Sequence, residues 1–157
     1  MGDGHHGWAA AEILLAARDA FVFEQRSRER EVFDLVFLQG IPQEWFGAGK
    51  SFGFRDAPVP GGRVDVKVSS GKRGSEVHVS FQPTEEIHAG TWTLRLPFIA
   101  ESVRINGRTA KVLSEDHQGT RVHLPAGLGP LSIDVSPLRT RSIGRNPTKT
   151  LRSETDT

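Results

Sequence analysis

The sequence contains no cysteine among its 157 residues. This absence excludes a disulfide framework, a zinc site built from thiolates and a cysteine nucleophile. It also leaves the redox compartment undetermined, because cysteine usage is the signal that would report it.

Long apolar runs and an excess of one charge are missing as well. The longest apolar stretch near the start, Trp8 to Leu15, contains Glu12 and has no basic region before it, so it fits neither a membrane span nor a secretion signal. Twenty basic and 19 acidic residues leave a formal charge of +1, which is too little for a surface that mainly grips nucleic acid or anionic lipid. We expect neither a nucleic acid nor a membrane as partner, and a cytoplasmic location if the start at Met1 is genuine.

The length suits one domain, and the composition divides the chain into three regions: an N-terminal loop and helix (1–30), a β-rich domain (31–137) and a basic tail (138–157). The tail has five basic and two acidic residues and almost nothing to bury, which predicts disorder. A basic arm for nucleic acid is the alternative interpretation of this tail.

Residues 7–30 are rich in Ala, Leu, Glu and Arg and contain no proline, a composition that favours one long helix, from about Trp8 to Gln25. Its apolar residues form two neighbouring stripes, one with Ala10, Ile13, Leu14, Ala17 and Phe21 and one with Trp8, Ala11, Leu15 and Val22. Such a wide apolar face predicts burial against more than one neighbour. Nothing else in the chain is predicted to be a long helix, so this helix lacks a second surface within the chain.

From Val32 onward the apolar residues alternate with a period of two, which is typical of β-strands. We predict eight strands: Val32 to Leu38, Arg63 to Ser69, Glu76 to Gln82, Trp92 to Leu96, Ser102 to Asn106, Ala110 to Leu113, Thr120 to Leu124 and Leu131 to Ser136. Inward rows are Val64, Val66 and Val68; Val77, Val79 and Phe81; Trp92, Leu94 and Leu96; Leu131, Ile133 and Val135. Short strands at this spacing indicate an antiparallel β-sandwich of about eight strands.

The connections carry their own signals. Ser70 to Gly74 is typical of a hairpin loop, and Asn106-Gly107 of a two-residue hairpin turn. Ile41 to Phe46, with Pro42 near its start, predicts a single helical turn. Asp56 to Gly62 is rich in proline and glycine and predicts a connection.

Two motifs resemble catalytic or nucleotide-binding sequences. Gly49 to Gly53 matches the G-x-S-x-G elbow of hydrolases, and Glu44 to Ser51 ends in Gly-Lys-Ser like a phosphate-binding loop. Both sites require a helix after the motif, and the sequence from Phe54 to Pro60 cannot be helical. We interpret this stretch as a loop that leads into a strand.

Six histidines raise the possibility of a metal site, but their spacing does not support one. His78 and His123 fall on outward strand positions, and His88 and His117 in connections. We therefore predict no metal site and no cofactor. Trp92 could stack on a sugar from a strand face, but it shares its parity with Leu94 and Leu96, which favours the core.

The N-terminal segment holds the candidate substrate-binding residues, His5, His6 and Trp8. Polar and aromatic side chains at the start of a buried apolar helix are where a pocket is often built, and Trp8 and Glu12 are one helical turn apart. The alternative is that Asp3 or Gly4 caps the helix and the histidines are simply exposed. We find no catalytic residue in this segment, because position on a helix does not make Glu12 a general base.

The order of the motifs resembles the C-terminal end of bacterial glycoside hydrolases built on an (α/α)6 barrel, the group of α-L-rhamnosidases, glucoamylases and trehalases. The motifs are the His-Gly-Trp-Ala-Ala-Ala-Glu helix start at 6–12, the G-[IV]-P-x-x-W turn from Gly40 to Trp45 within residues 35–50, and Asp56-Ala57-Pro58. In such enzymes the last barrel helix leads through this turn into a β-sandwich that packs on the barrel.

The resemblance implies a non-catalytic C-terminal module or fragment of a glycoside hydrolase, since the barrel has twelve helices and this chain one. The expected partners are the missing barrel domain or a second copy bound through the helix, with carbohydrate as a further ligand. The alternative function is a free-standing carbohydrate-binding or protein-interaction β-sandwich. An independent small hydrolase would need an acid and a base on one face, which the sequence does not show.

Overall fold

Two β-sheets packed face to face and one N-terminal helix make up the fold. The computed structural model describes residues 7–26, 32–84, 87, 90–116, 119–125 and 129–138. The elements in chain order are α1 (Gly7–Phe21), β1 (Val22–Arg26), β2 (Phe33–Phe37), a 3₁₀ turn (Gln43–Phe46), β3 (Ser51–Val59), β4 (Gly62–Ser70), β5 (Val77–Pro83), β6 (Trp92–Leu96), β7 (Ala100–Ile105), β8 (Arg108–Thr109), β9 (Val112–Asp116), β10 (Gly119–Leu124) and β11 (Leu131–Pro137).

The strands form a five-stranded sheet in the order β1-β2-β6-β10-β9 and a six-stranded sheet in the order β3-β4-β5-β11-β7-β8. Within the described residues every pairing is antiparallel except that of β2 with β6, where Leu35 lies opposite Trp92. The predicted β-sandwich with a preceding helix is confirmed. The described residues form eleven strands instead of about eight, because three short or irregular ones were not expected.

The core lies between the two sheets, and the four predicted inward rows all point into it. Phe37 of β2 meets Phe81 of β5 across the interface, with ring centroids 4.4 Å apart, and Trp92 of β6 lies 5.4 Å from Phe37. Side chains of this size each stabilise the fold by roughly 1.5 to 3 kcal/mol when fully buried. The alternation of apolar residues therefore fixes which face of each strand is covered.

The predicted turns are also present. Asn106 and Gly107 both have positive φ angles, 49° and 77°, as a two-residue hairpin between β7 and β8 requires. The single helical turn after Pro42 is the 3₁₀ turn Gln43–Phe46.

The helix is shorter than we predicted, because it ends at Phe21 and not at Gln25. Residues Val22–Arg26 instead form β1, which pairs with β2 from Val22 opposite Phe37 to Arg26 opposite Phe33. Val22 is fully buried in this position. Pairing with the otherwise open side of β2 outweighs the local helix propensity.

The segment that we expected to be a loop and a connection forms the edge strand β3. Pro58 is compatible with a strand here because β3 pairs only with β4, so one side of its backbone needs no partner. A bulge between Phe54 and Ala57 interrupts the pairing, and the Asp56 N–H there donates to Asp65 Oδ1 at 2.7 Å. The predicted disordered tail, 138–157, lies outside the described residues apart from Leu138.

Candidate functional site

The C-terminal end of α1 is anchored in the sandwich. Phe21 is buried, and its ring centroid lies 6.1 Å from that of Phe52 and 5.7 Å from that of Phe54. The carbonyl oxygens of Ala20 and Phe21 accept hydrogen bonds from the backbone N–H groups of Gly40 (3.1 Å) and Leu38 (2.8 Å). The last turn of the helix is therefore fixed to the segment after β2.

Arg18 adds a second anchor one turn earlier. Its Nε donates to the carbonyl oxygen of Pro58 at 2.9 Å, its Nη1 donates to Asp19 at 2.8 Å, and its Nη2 contacts Glu24. Burial lowers the pKa of Arg18, but the hydrogen bonds and the attraction to Asp19 and Glu24 outweigh it, and the pKa is raised overall. The guanidinium thus aligns α1 with the far end of β3.

The N-terminal part of α1 leaves the sandwich with its apolar side chains exposed. The exposed fractions are 72% for Trp8, 69% for Ile13, 64% for Leu14 and 53% for Leu15. Of the stripe that contains Ile13, Leu14, Ala17 and Phe21, only Phe21 is buried. Ile13, Leu14 and Leu15 therefore keep more than half of their apolar surface exposed.

The structure describes one of the three predicted sugar-binding residues. His5 and His6 lie outside the described residues, and Trp8 lies in the first turn of α1, on the same exposed side as Glu12. A sugar subsite formed by these three residues stays a prediction.

The two sequence motifs around Ser51 do not form the sites they resemble. Ser51 begins β3, its Oγ donates to the carbonyl oxygen of Val68 at 3.1 Å, and a strand follows it instead of a helix. The elbow geometry and the helix N-terminus that the two motifs need are therefore absent at this position.

The described histidines lie on outer faces of the sheets, as predicted. His78 Nδ1 lies 2.8 Å from Asp134 Oδ1, on a cross-strand pair of β5 and β11. Glu76 and Arg104 line a cavity of about 370 Å³ together with these two side chains. Among the described residues, no three histidine or carboxylate side chains are grouped closely enough to bind a metal ion.

None of the described helices has the length and apolar character needed to span a bilayer.

A second exposed surface lies at the opposite end of β3, and sequence reasoning missed it. The Trp45 side chain is 45% exposed, and its ring centroid lies 5.5 Å from that of Phe52 in an edge-to-face contact. With Lys50 and Ser51 these rings line a cavity of about 400 Å³, which we call the Trp45 cavity. The available signal was the pair Trp45-Phe46, because two adjacent aromatic residues in one short turn cannot both face the core.

A groove of about 850 Å³ lies beside the β7–β8 hairpin. Its lining includes the basic side chains Arg108 and Lys111, His123, and the exposed Leu113. A register shift in the pairing of β9 with β10 leaves Leu113 without a partner in the ladder. Among the described residues that line this groove there is no phenylalanine or tryptophan.

Comparison with known proteins gives no match: no family model, no curated protein and no solved structure is similar to this chain.

Proposed function

We propose that this chain is a non-catalytic β-sandwich module of a glycoside hydrolase, held against the α-helical catalytic domain by α1. The observation that carries the proposal is the exposed apolar part of α1. Ile13, Leu14 and Leu15 are each more than half exposed, on a helix whose last residue is buried.

The arrangement suits a partner made of helices. One apolar stripe of α1 is covered at Phe21 and continues uncovered through Ala17 to Ile13 and Leu14. A neighbouring helix could extend the contact along the stripe by packing its ridges into the grooves of α1. Each large apolar side chain covered in this way adds roughly 1.5 to 3 kcal/mol.

The described residues support a module without its own catalysis. Glycosidic cleavage needs two carboxyl groups roughly 5 to 10 Å apart on either side of a bound sugar. Glu76 and Asp134 are the two carboxylates that line one described cavity, but Asp134 is paired with His78 and more than half exposed. The described lining contains no phenylalanine or tryptophan on which a sugar ring could stack.

The assignment to glycoside hydrolases rests on the sequence resemblance, above all on the turn from Gly40 to Trp45. A free-standing carbohydrate-binding or protein-interaction sandwich is the second candidate. The exposed Trp45 ring favours this second candidate, because docking on a barrel through α1 gives no role to an exposed aromatic ring elsewhere on the sandwich.

The test begins with the DNA upstream of the Met1 codon. We expect it to encode a helical barrel, in frame or as a neighbouring gene, and this barrel should co-purify with the chain when the two are co-expressed. The variant Ile13→Gln/Leu14→Gln/Leu15→Gln should lose the barrel, whereas Leu113→Gln, which removes an equally exposed leucine elsewhere, should retain it. The absence of an encoded barrel, or binding that survives the triple substitution, would contradict the proposal.

Restoring the barrel also tests the predicted sugar subsite. If Trp8 contributes to it, Trp8→Ala should lower glycosidase activity of the complex while the far-ultraviolet circular dichroism of the sandwich stays the same. Unchanged kinetics would assign Trp8 to packing or solvent.

A further inference from the structure

The Trp45 cavity has an aromatic wall that is held in place from behind. Phe46, the next residue, is buried and packs edge-on against Phe52 (5.2 Å) and Phe98 (5.3 Å). The backbone N–H of Trp45 donates to the carbonyl oxygen of Pro42 at 3.1 Å. The Ser70 hydroxyl donates to the carbonyl oxygen of Phe46 at 2.9 Å. The 3₁₀ turn therefore presents Trp45 from a rigid base, which lowers the entropic cost of binding.

Besides the indole N–H of Trp45, the described lining of the cavity offers two polar groups, the ammonium of Lys50 and the hydroxyl of Ser51. Lys50 Nζ donates to the carbonyl oxygen of Glu44 at 2.8 Å, which fixes the ammonium beside the turn and leaves two of its three hydrogens for a ligand. Ser51 Oγ has given its hydrogen to Val68, at 3.1 Å, so it offers lone pairs. The lining thus combines a flat apolar wall with a fixed donor and a fixed acceptor.

We propose that the Trp45 cavity binds a neutral saccharide, with a pyranose ring stacked on Trp45 and its hydroxyl groups bonded to Lys50 and Ser51. A pyranose has an apolar C–H face that packs on an aromatic ring, and each of its hydroxyls can both donate and accept. This matches all three features of the lining.

A phosphate or nucleotide fits less well. Tight anion binding draws on several charge-assisted donors or on a helix N-terminus. Lys50 is the only cation among the described residues that line this cavity, and the hydrogen of the Ser51 hydroxyl is already donated to Val68. A neutral ligand with hydroxyl groups can accept a hydrogen bond from Lys50 and donate one to Ser51, so it needs no further cation.

The exposed docking surface on α1 is not part of this cavity. Phe21, the last residue of α1, packs against Phe52 of the cavity, but Ile13, Leu14 and Leu15 lie about two helical turns earlier, before the Arg18–Pro58 contact at the other end of β3, and they do not line the cavity. The saccharide proposal therefore does not depend on what covers α1.

The experiment uses the full chain labelled with ¹⁵N, in which the three tryptophan indole N–H signals are assigned with the help of Trp45→Ala and Trp8→Ala. Cellohexaose, xylohexaose and maltohexaose are titrated separately to millimolar concentration, with inorganic phosphate and ATP as anionic probes. We expect the Trp45 signal to shift in a saturable way with at least one saccharide.

Variants then locate the binding. Because the Trp45 variants lack the indole signal, isothermal titration calorimetry measures their binding. Trp45→Ala should weaken it at least tenfold, Trp45→Phe should retain part of it because a ring is kept, and Lys50→Met should weaken it several-fold. Lys72→Met, which removes a lysine from the β4–β5 loop, and the triple α1 variant should bind normally. Circular dichroism and thermal unfolding show whether each variant is folded.

Three results would overturn the proposal. One is that none of the three saccharides shifts the Trp45 signal, and another is that binding is unchanged in folded Trp45→Ala or Lys50→Met. The third is that phosphate or ATP shifts the signal and the saccharides do not. The α1 surface is tested with other substitutions. A negative result at Trp45 therefore does not contradict docking through α1, and a negative docking result does not contradict saccharide binding.

Discussion

Gly40 lies so close to Ala20 that a Cβ atom added to Gly40 would be 2.8 Å from the Ala20 Cα. The same two residues are joined by a backbone hydrogen bond, from the Gly40 N–H to the Ala20 carbonyl oxygen. The segment after β2 can therefore cross the end of α1 only because position 40 has no side chain. This contact sets where α1 meets the sandwich.

The first prediction is that Gly40→Ala destabilises the protein by about 1 to 3 kcal/mol, since the extra methyl group must push the helix end and the crossing segment apart. Urea unfolding followed by circular dichroism measures the change. Gly129→Ala is the control, because nothing lies within 4 Å of a Cβ atom there. Equal stability of the two variants would contradict the close contact.

The second prediction concerns Trp92 in the core. Its ring is completely buried, and its Nε1 has no hydrogen-bond partner among the described residues. A buried unpaired N–H costs about 1 to 3 kcal/mol. Trp92→Phe loses stability because the smaller ring packs less well, but removing the unpaired N–H should offset part of that loss. We expect it to be less destabilising in urea than Phe81→Leu, which removes ring atoms from the same core without relieving a polar group. The opposite order would show that the indole N–H is satisfied in solution.

Periodicity predicted the sandwich well where strands are covered on one face. Buried and less buried residues alternate without a break from Val64 to Val68 and from Trp92 to Leu96. The residues that face the core could therefore be predicted from the sequence. Periodicity failed at Val22–Arg26, because five residues after a helical pattern carry too little signal to reveal a strand whose stability comes from pairing with β2. Periodicity also failed at Ser51–Val59, where Gly53 and Pro58 mask an edge strand with a bulge.

The surfaces were predicted unevenly for a similar reason. The apolar stripes of α1 are a local property of the sequence, so the uncovered helix could be anticipated. The Trp45 cavity depends on contacts between Trp45 and Phe52 and between Phe46 and Phe98, which join the 3₁₀ turn to β3 and to the loop after β6. Local patterns contain no information about such distant contacts.

The third prediction is that the purified chain does not hydrolyse aryl glycosides of common sugars above a buffer blank. The physical reason is that the described residues offer no enclosed pair of carboxyl groups around a sugar. Release of nitrophenol is measured after repeated purification. Turnover that persists and is lost in Asp134→Asn or Glu76→Gln would identify the cavity beside His78 as catalytic and defeat the non-catalytic proposal.

The fourth prediction is that the chain alone elutes as a dimer or larger species. Trp8, Ile13, Leu14 and Leu15 expose apolar surface along one short helix, and patches of this kind associate in water. A helix of 15 residues is also marginal in water without tertiary contacts, so a second copy of α1 would both cover the side chains and stabilise the helix.

Light scattering after gel filtration measures the state of the full chain and of Ile13→Gln/Leu14→Gln/Leu15→Gln, which keeps good helix formers but removes the apolar surface. Deleting everything before Glu31 would be a poorer comparison, because it also removes β1 and opens the edge of β2. The triple variant should be monomeric with an unchanged β-sheet signal, and Leu113→Gln should still associate. If the unmodified chain is monomeric and elutes like the triple variant, then α1 does not drive association, and the case for a helix that needs an external partner loses its main physical support.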